Sequence, residues 1–224
     1  MLISMAEVLN KAKQQGYGVA APNVFNDTTV AGAFQVADQL KSPLIRGCVG
    51  LHGIEKVASL AYFYERRYPH LPIVLHLDHG GSYDEIMLAL RSGFSSVMID
   101  RSTLPFDENV AEVKEVVKIA HSMGVSVEAE LGHVGVGFDY EQTRNSGLTN
   151  PAEAVQYVQQ TNVYCLAVAV GPSHGVYQGT PKLDFALLAA LRARLAIPLA
   201  LHRRPGPGHH ALNHAVPTGL TQVA

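Results

Sequence analysis

The chain has 224 residues, the usual size of one α/β barrel domain and enough for a large hydrophobic core. Lysine and arginine number 17 against 19 aspartates and glutamates, so the formal net charge is −2, and a basic nucleic-acid coat or a polybasic membrane binder is excluded. Charged residues make up 16% and hydrophobic residues 47% of the chain, which argues against intrinsic disorder and favours a sheet covered on both faces.

The cysteine content and the N-terminal sequence bear on the cellular location. Cys48 and Cys165 lie in apolar segments and are too few for a disulfide framework, so we expect buried thiols in a reducing compartment. The first residues show no basic stretch followed by an apolar one, and no apolar run approaches the ~18 residues that span a membrane. We therefore expect a cytoplasmic protein with no membrane partner and no nucleic-acid partner.

Short apolar segments alternate with longer amphipathic segments along the chain. Eight buried strands are predicted at residues 18–24, 43–49, 73–79, 95–100, 126–132, 165–170, 198–202 and 221–224. Helices are predicted at residues 27–41, 109–123 and 181–192, and a further helix at 4–14 closes the bottom of a barrel. Eight alternating units predict one α/β domain over residues 1–224, a (β/α)8 TIM barrel.

A doubly wound open sheet is the alternative fold. Its dinucleotide-binding version needs a glycine-rich turn after the first strand, and residues 22–26 have none. We expect the C-terminal end of the predicted barrel to be incomplete, because the last residue of the sequence, Ala224, comes directly after the eighth predicted strand, without a final helix. A barrel without its last helix exposes apolar surface, so we expect poor solubility or a partner that covers this surface.

Titratable residues concentrate at the carboxyl ends of the predicted strands, where a parallel barrel has its active site. The third strand ends in His76, Asp78 and His79, and strand alternation places the first two on one face. The fifth strand carries Glu128 and Glu130 on one face. Two inward carboxylates are costly in a dry barrel unless they meet cations or hydrogen-bond donors. A hydrogen-bonded His–Asp pair and a solvated edge strand are the structural alternatives.

Three histidines close three different strands: His79, His174 and His202. They are far apart in sequence, so only barrel closure brings them together. Three histidines with an open position form a catalytic zinc arrangement. No lysine ends a predicted strand, which disfavours a Schiff-base mechanism and favours metal-assisted chemistry.

The order and combination of motifs resemble those of the class II, zinc-dependent fructose-/tagatose-bisphosphate aldolase family. The resemblance covers residues 3–202 and resumes weakly over residues 211–224. Its matching segments are PNVFN at 22–26, KSP at 41–43, HLDHG at 76–80, VEAELG at 127–132, LAVAVG at 166–171, HGVY at 174–177, PKLDF at 181–185 and PLALH at 198–202.

The resemblance implies roles for individual residues. Three positions match the catalytic zinc ligands: His79, His174 and His202. Glu130 matches a carboxylate near the metal that in some members ligates a displaced or second metal. Asp78 matches the acid/base at the aldehyde oxygen of the cleaved bond. Asn23 matches a substrate-contacting position, and Gly175 a backbone position near the phosphate.

The resemblance also implies a reaction and its partners. The reaction is the reversible aldol cleavage of a ketose (bis)phosphate, as in glycolysis and related carbohydrate metabolism. Its products are dihydroxyacetone phosphate and an aldehyde, and a zinc-stabilised enediolate is the intermediate. The implied partners are a phosphorylated sugar and further copies of the chain, as a homodimer or homotetramer.

Two segments depart from the family pattern. After Gly132 the sequence GHVGVGFDYE replaces the usual glycine pair and acidic pair of a mobile loop, so Asp139 and Glu141 are both candidates for the loop acid. Residues 203–210 are aberrant and stand where the family has a glycine-rich phosphate loop, which suggests two compensating shifts of the reading frame together with a C-terminal truncation. Direct phosphate binding by Arg203 and Arg204 is the rival explanation. Two alternative functions therefore stay open: an impaired family member that binds metal but lacks the phosphate site, and another metal-dependent barrel enzyme such as a hydrolase.

Overall fold

Eight parallel strands form the centre of the fold. The structure, a computed structural model, describes residues 2–48, 50, 53–133, 147–171, 183–202 and 208–224, and the side chains of residues 208–212 are not described. The strands are β1 Val19–Ala20, β2 Leu44–Cys48, β3 Ile73–Gly80, β4 Ser96–Ile99, β5 Ser126–Leu131, β6 Cys165–Val168, β7 Leu199–Leu201 and β8 Leu220–Val223.

The sheet closes on itself. Its strand order is β1-β8-β7-β6-β5-β4-β3-β2, and every neighbouring pair is parallel. The seam between the first and second strands is a parallel bridge of Asn23 with Gly47, at which the Val24 N–H donates to the Gly47 carbonyl at 3.0 Å. The predicted (β/α)8 barrel is thereby confirmed, and the open sheet is excluded.

Helices surround the strands. They are α1 Met5–Gln15, α2 Asp27–Leu40, α3 Ile54–Glu65, α4 Tyr83–Arg91, α5 Phe106–Ser122, α6 Pro151–Thr161, α7 Phe185–Arg194 and α8 Gly208–Thr218. Apolar strand residues alternate between two cores, one inside the barrel and one between sheet and helices. The inner core includes Met5, Val8 and Leu9 of α1 beside Ile45 of β2. The predicted N-terminal helix thus closes one end of the barrel.

Several element boundaries differ from the sequence-based expectation. β1 covers two residues rather than seven, because Pro22 has no N–H to donate to a strand ladder. α5 begins at Phe106 instead of 109, directly after Pro105. α7 begins at Phe185, because the Asp184 carboxylate accepts the N–H of Leu187 and caps the helix there.

Both cysteines are buried free thiols, as expected. In the described part of the chain, no helix combines the length and apolar character needed to cross a membrane.

Candidate metal-binding active site

The carboxyl end of β3 brings two site residues to the mouth of the barrel. Strand alternation directs Asp78 inward, but it directs the next residue outward. His79 has a φ of 49°, in the left-handed region, and the pairing of β3 with β4 slips between Leu77 and Gly80. This irregularity brings His79 back beside its neighbour, with 3.9 Å between His79 Nε2 and Asp78 Oδ1. The two residues of the motif therefore share one site.

His202, directly after β7, lies between two carboxylates. Its Nδ1 is 3.0 Å from Asp78 Oδ1, and its Nε2 is 2.6 Å from Glu128 Oε1. Its ring also meets the ring of His79 edge-on, with centroids 4.6 Å apart. Barrel closure therefore brings His79, Asp78 and His202 together, as the strand-end pattern predicts.

A second pair of carboxylates lies on the other side of His79. Asp100 Oδ2 is 2.9 Å from His79 Nδ1, and Glu130 Oε2 is 3.8 Å from the same nitrogen. Glu130 was predicted, but Asp100 was not singled out. Its position at the carboxyl end of β4, the neighbour of the strand that carries His79, is the feature by which Asp100 could have been identified.

Burial and neighbouring charges shift the pKa values of the site residues in different directions. Burial opposes ionisation of Asp78, but the hydrogen bond and charge of His202, with the other nearby histidines, hold its pKa well below the usual value. Burial lowers the pKa of His202, yet Glu128 and Asp78 outweigh this effect and raise it. Burial and the charge of Asp100 raise the pKa of Glu130 to about 7. Asp78 is therefore a carboxylate at neutral pH, whereas Glu130 is partly protonated.

Asn23 reaches the site from the seam of the barrel. Its Nδ2 donates a hydrogen bond to Asp78 Oδ2 at 2.8 Å. The close approach depends on Gly47, because a Cβ at that position would lie 2.1 Å from Asn23 Oδ1. The predicted substrate-contacting residue is thus placed directly beside the predicted acid/base.

The donor set suits a divalent metal ion. Two groups each bring ligand atoms within 4.8 Å of one another: Asp78, His79 and His202, and His79, Asp100 and Glu130. The buried Oε2 of Glu130 accepts no hydrogen bond from any described residue. Imidazole nitrogen and carboxylate oxygen are zinc ligands. Among the sequence-predicted site residues, His174 and Gly175 lie outside the described ranges, as do the loop acids Asp139 and Glu141 and the arginines of 203–204.

Comparison with known proteins assigns the family. The sequence profile of the class II fructose-bisphosphate aldolases matches residues 3–223. The chain belongs to this family. Its members are metal-dependent lyases that act on sugar phosphates, so the expected resemblance is confirmed.

Individual aldolases are similar over most of this chain. Fructose-bisphosphate aldolase of Helicobacter pylori (strain ATCC 700392 / 26695) is 40% identical over 210 residues, which are 90% of this chain and 68% of that protein. The crystal structure of the YdjI aldolase from Escherichia coli K12 superimposes with a TM-score of 0.89 and 31% identity, covering 100% of this chain and 81% of that one. Fructose-bisphosphate aldolase (Fba) from Campylobacter jejuni shares the fold, with a TM-score of 0.82 and 20% identity over 99% of this chain and 76% of that one. This class II aldolase chain is shorter than these relatives.

Proposed function

We propose that this class II aldolase is a zinc enzyme that cleaves a ketose (bis)phosphate reversibly into dihydroxyacetone phosphate and an aldehyde. The observation that carries the proposal is the convergence of His79, His202 and Asp78 at the barrel mouth, with all three ligand atoms within 4.8 Å of one another. The three residues come from the ends of β3 and β7, on opposite sides of the closed barrel.

The zinc ligands in this proposal are His79 and His202, with His174 as the third. When bound, zinc supplies Lewis-acid stabilisation of the negative charge that develops on the ketose carbonyl oxygen. A Schiff base is not needed for that task, and every described lysine lies on a helix or at a helix end. His79, Asp100 and Glu130 offer an alternative set of ligand atoms for a displaced or second metal.

Asp78 is the proposed acid/base. Its carboxylate is ionised at neutral pH, and the Asn23 amide holds Oδ2 at 2.8 Å. In the cleavage direction, Asp78 takes the proton from the substrate hydroxyl that becomes the aldehyde oxygen. In the synthetic direction it returns that proton. Asn23 is proposed to contact the substrate, and the backbone at Gly175 to lie near its phosphate.

The remaining parts of the proposal concern the setting of the reaction. We propose a phosphorylated sugar of carbohydrate metabolism as the substrate, the cytoplasm as the location, and a homodimer or homotetramer as the assembly. Residues 1–224 are proposed to act as one domain.

Exchange of a proton between dihydroxyacetone phosphate and solvent tests the enediolate half of the reaction without knowledge of the aldehyde. We expect zinc-loaded protein to catalyse the exchange, and a chelator or His79→Ala to abolish it. His70→Ala is the matched control, because His70 precedes β3 and lies at the opposite end of that strand. Zinc-loaded, folded protein without exchange would contradict the proposal and favour an impaired family member that binds metal without a phosphate site.

A further inference from the structure

A layer of polar side chains lies inside the barrel, next to the candidate metal ligands. Its centre is Glu128 of β5, which is fully buried, and His76, Ser96 and Gln222 are equally buried. These residues come from β5, β3, β4 and β8, and His202 at the end of β7 joins the layer to the site. A buried carboxylate is stable only when its oxygens meet donors, so the partners of Glu128 determine what it does.

Both oxygens of Glu128 have partners. Oε1 is 2.6 Å from His202 Nε2. Oε2 accepts a hydrogen bond from Gln222 Nε2 at 3.0 Å and lies 3.5 Å from His76 Nε2. The other ring nitrogen of His76, Nδ1, is 2.9 Å from the hydroxyl oxygen of Ser96. Residues of β8 and β3 therefore hold Oε2 of the carboxylate in place, and Oε1 faces His202.

The two ring nitrogens of His202 face different environments. Nδ1 is 3.0 Å from Asp78 Oδ1, within the candidate ligand group, whereas Nε2 faces Glu128. A histidine that binds a metal uses the lone pair of one nitrogen and carries a proton on the other. A carboxylate that accepts the Nε2 proton leaves the Nδ1 lone pair on the side of Asp78 and His79.

We propose that Glu128 is a positioning residue that fixes the orientation and tautomer of His202, so that Nδ1 faces the metal. Gln222 fixes Glu128 in turn, and it thereby gives β8 a part in the site although it is not a metal ligand. The inference rests on the proposed metal-dependent function, and it adds the residues that prepare one ligand for the metal.

Competition between the protein and a chromophoric chelator for zinc tests the proposal without any assay of turnover. We expect Glu128→Gln, which keeps the volume and removes the charge, to weaken zinc binding about 10- to 100-fold. Gln222→Met, which removes only the donor to Glu128, is expected to weaken zinc binding less, in the same direction. The absorption spectrum of the cobalt(II)-loaded protein should change in both variants, because the geometry at one ligand changes.

Ser96→Ala is the matched control. Ser96 is as buried as Glu128 and belongs to the same layer, but its hydroxyl contacts His76 and not Glu128. We expect this variant to keep the parent zinc affinity and cobalt spectrum. Circular dichroism of the metal-free variants identifies any variant that has not folded, and Gln222→Met carries the test if Glu128→Gln fails to fold.

The outcomes separate this inference from the proposed function. Unchanged zinc affinity in folded Glu128→Gln and Gln222→Met would overturn the role of Glu128, and so would an equal loss in Ser96→Ala. A parent chain that binds no zinc would overturn the inference together with the metal-dependent mechanism. In a further outcome, the parent and the three variants show the expected zinc affinities while the parent catalyses no proton exchange with dihydroxyacetone phosphate. That result would support the inference and contradict the aldolase activity.

Discussion

Asp78 lies beside the imidazoles of His79 and His202 and accepts a hydrogen bond from the Asn23 amide. Its proposed role allows the two halves of the reaction to be measured separately. The carboxylate serves the oxygen at the cleaved bond, whereas exchange of a proton on dihydroxyacetone phosphate does not involve that oxygen. We therefore expect Asp78→Asn to lose 10²- to 10⁴-fold in cleavage rate and to retain proton exchange. Isotope exchange and aldehyde release, measured on the same zinc-loaded sample, check this. Parallel loss of both would instead assign Asp78 to metal binding.

Gly47 leaves the space in which Asn23 reaches Asp78. A Cβ there would come within 2.1 Å of Asn23 Oδ1, which is the end of a movable side chain. We expect Gly47→Ala to displace the amide and to reduce the cleavage rate about as much as Asn23→Ala does, with a smaller effect on stability. Steady-state cleavage kinetics of the two variants, each compared with the parent, test the expectation. A parent-like Gly47→Ala enzyme beside an impaired Asn23→Ala enzyme would refute it.

Part of the site could be predicted from the sequence and part could not. Asp78, His79 and His202 were predicted because strand ends in a parallel barrel converge. Asp100 was not, because one acidic residue after a strand has no distinguishing pattern. The partners of Glu128 also could not be predicted, since the choice of Gln222 and His76 depends on the register of β8 and β3 around the closed barrel.

The conformation at the end of β3 depends on close packing of its backbone against β4 as well as on its side chains. A Cβ on Gly80 would lie 2.5 Å from the carbonyl oxygen of Met98 in β4, and a backbone atom cannot rotate away. We expect Gly80→Ala to reduce the free energy of unfolding by about 1–3 kcal/mol. Gly32→Ala in α2 is the matched control, because nothing lies within 4 Å of its Cβ, and we expect it to stabilise the protein by about 0.5–1 kcal/mol.

Urea unfolding, monitored by circular dichroism, measures the free energy of unfolding of both glycine variants. Equal stability of Gly80→Ala and Gly32→Ala would show that β3 and β4 adjust to the extra methyl group.

The packing of β2 against its helices contains a buried positive charge. Arg46 is fully buried, with its guanidinium 5.1 Å above the Phe34 ring, and burial lowers its pKa to about 10. Its Nη2 lies 3.5 Å from the Val57 carbonyl oxygen, and its Nε and Nη1 have no hydrogen-bond partner among the described residues. We expect Arg46→Met to raise the free energy of unfolding by about 1–3 kcal/mol, because it removes incompletely paired donors from an apolar layer. Chemical denaturation checks this, and a destabilised variant would contradict it.

Element boundaries were less predictable than element types. The eight strands follow from short apolar segments, but the length of β1 depends on Pro22. No helix is among the sequence-based predictions for the segment after β7, which is rich in proline and histidine, yet α8 forms there and includes Pro217. Contacts of α8 with β8 and α7 stabilise a helix that local propensity disfavours.

At the scale of the whole molecule, metal binding should connect distant parts of the chain. His79 and His202 follow strands that are separated by three others in the ring, so a metal held by both joins opposite sides of the barrel mouth. We expect zinc at about 100 times its dissociation constant to add about 2.7 kcal/mol of stability. For a chain of this size the melting temperature then rises by roughly 5–11 °C.

Scanning calorimetry with and without zinc measures this rise. His202→Ala should lose it and His70→Ala should retain it. A melting temperature that does not depend on zinc in the parent protein would contradict a metal ligand set that spans the barrel.

The pairing of β1 with β8 has a consequence for folding during synthesis of the chain. Val19 pairs with Gln222, so the closing contact joins the earliest and the latest of the eight barrel strands in chain order. The amide of Gln222 also completes the hydrogen bonds of Glu128. A nascent chain can fold its earlier β–α units locally, but the candidate metal site is complete only when β8 emerges and the ring closes. We therefore expect the proposed metal to bind after β8 has been synthesised rather than before it.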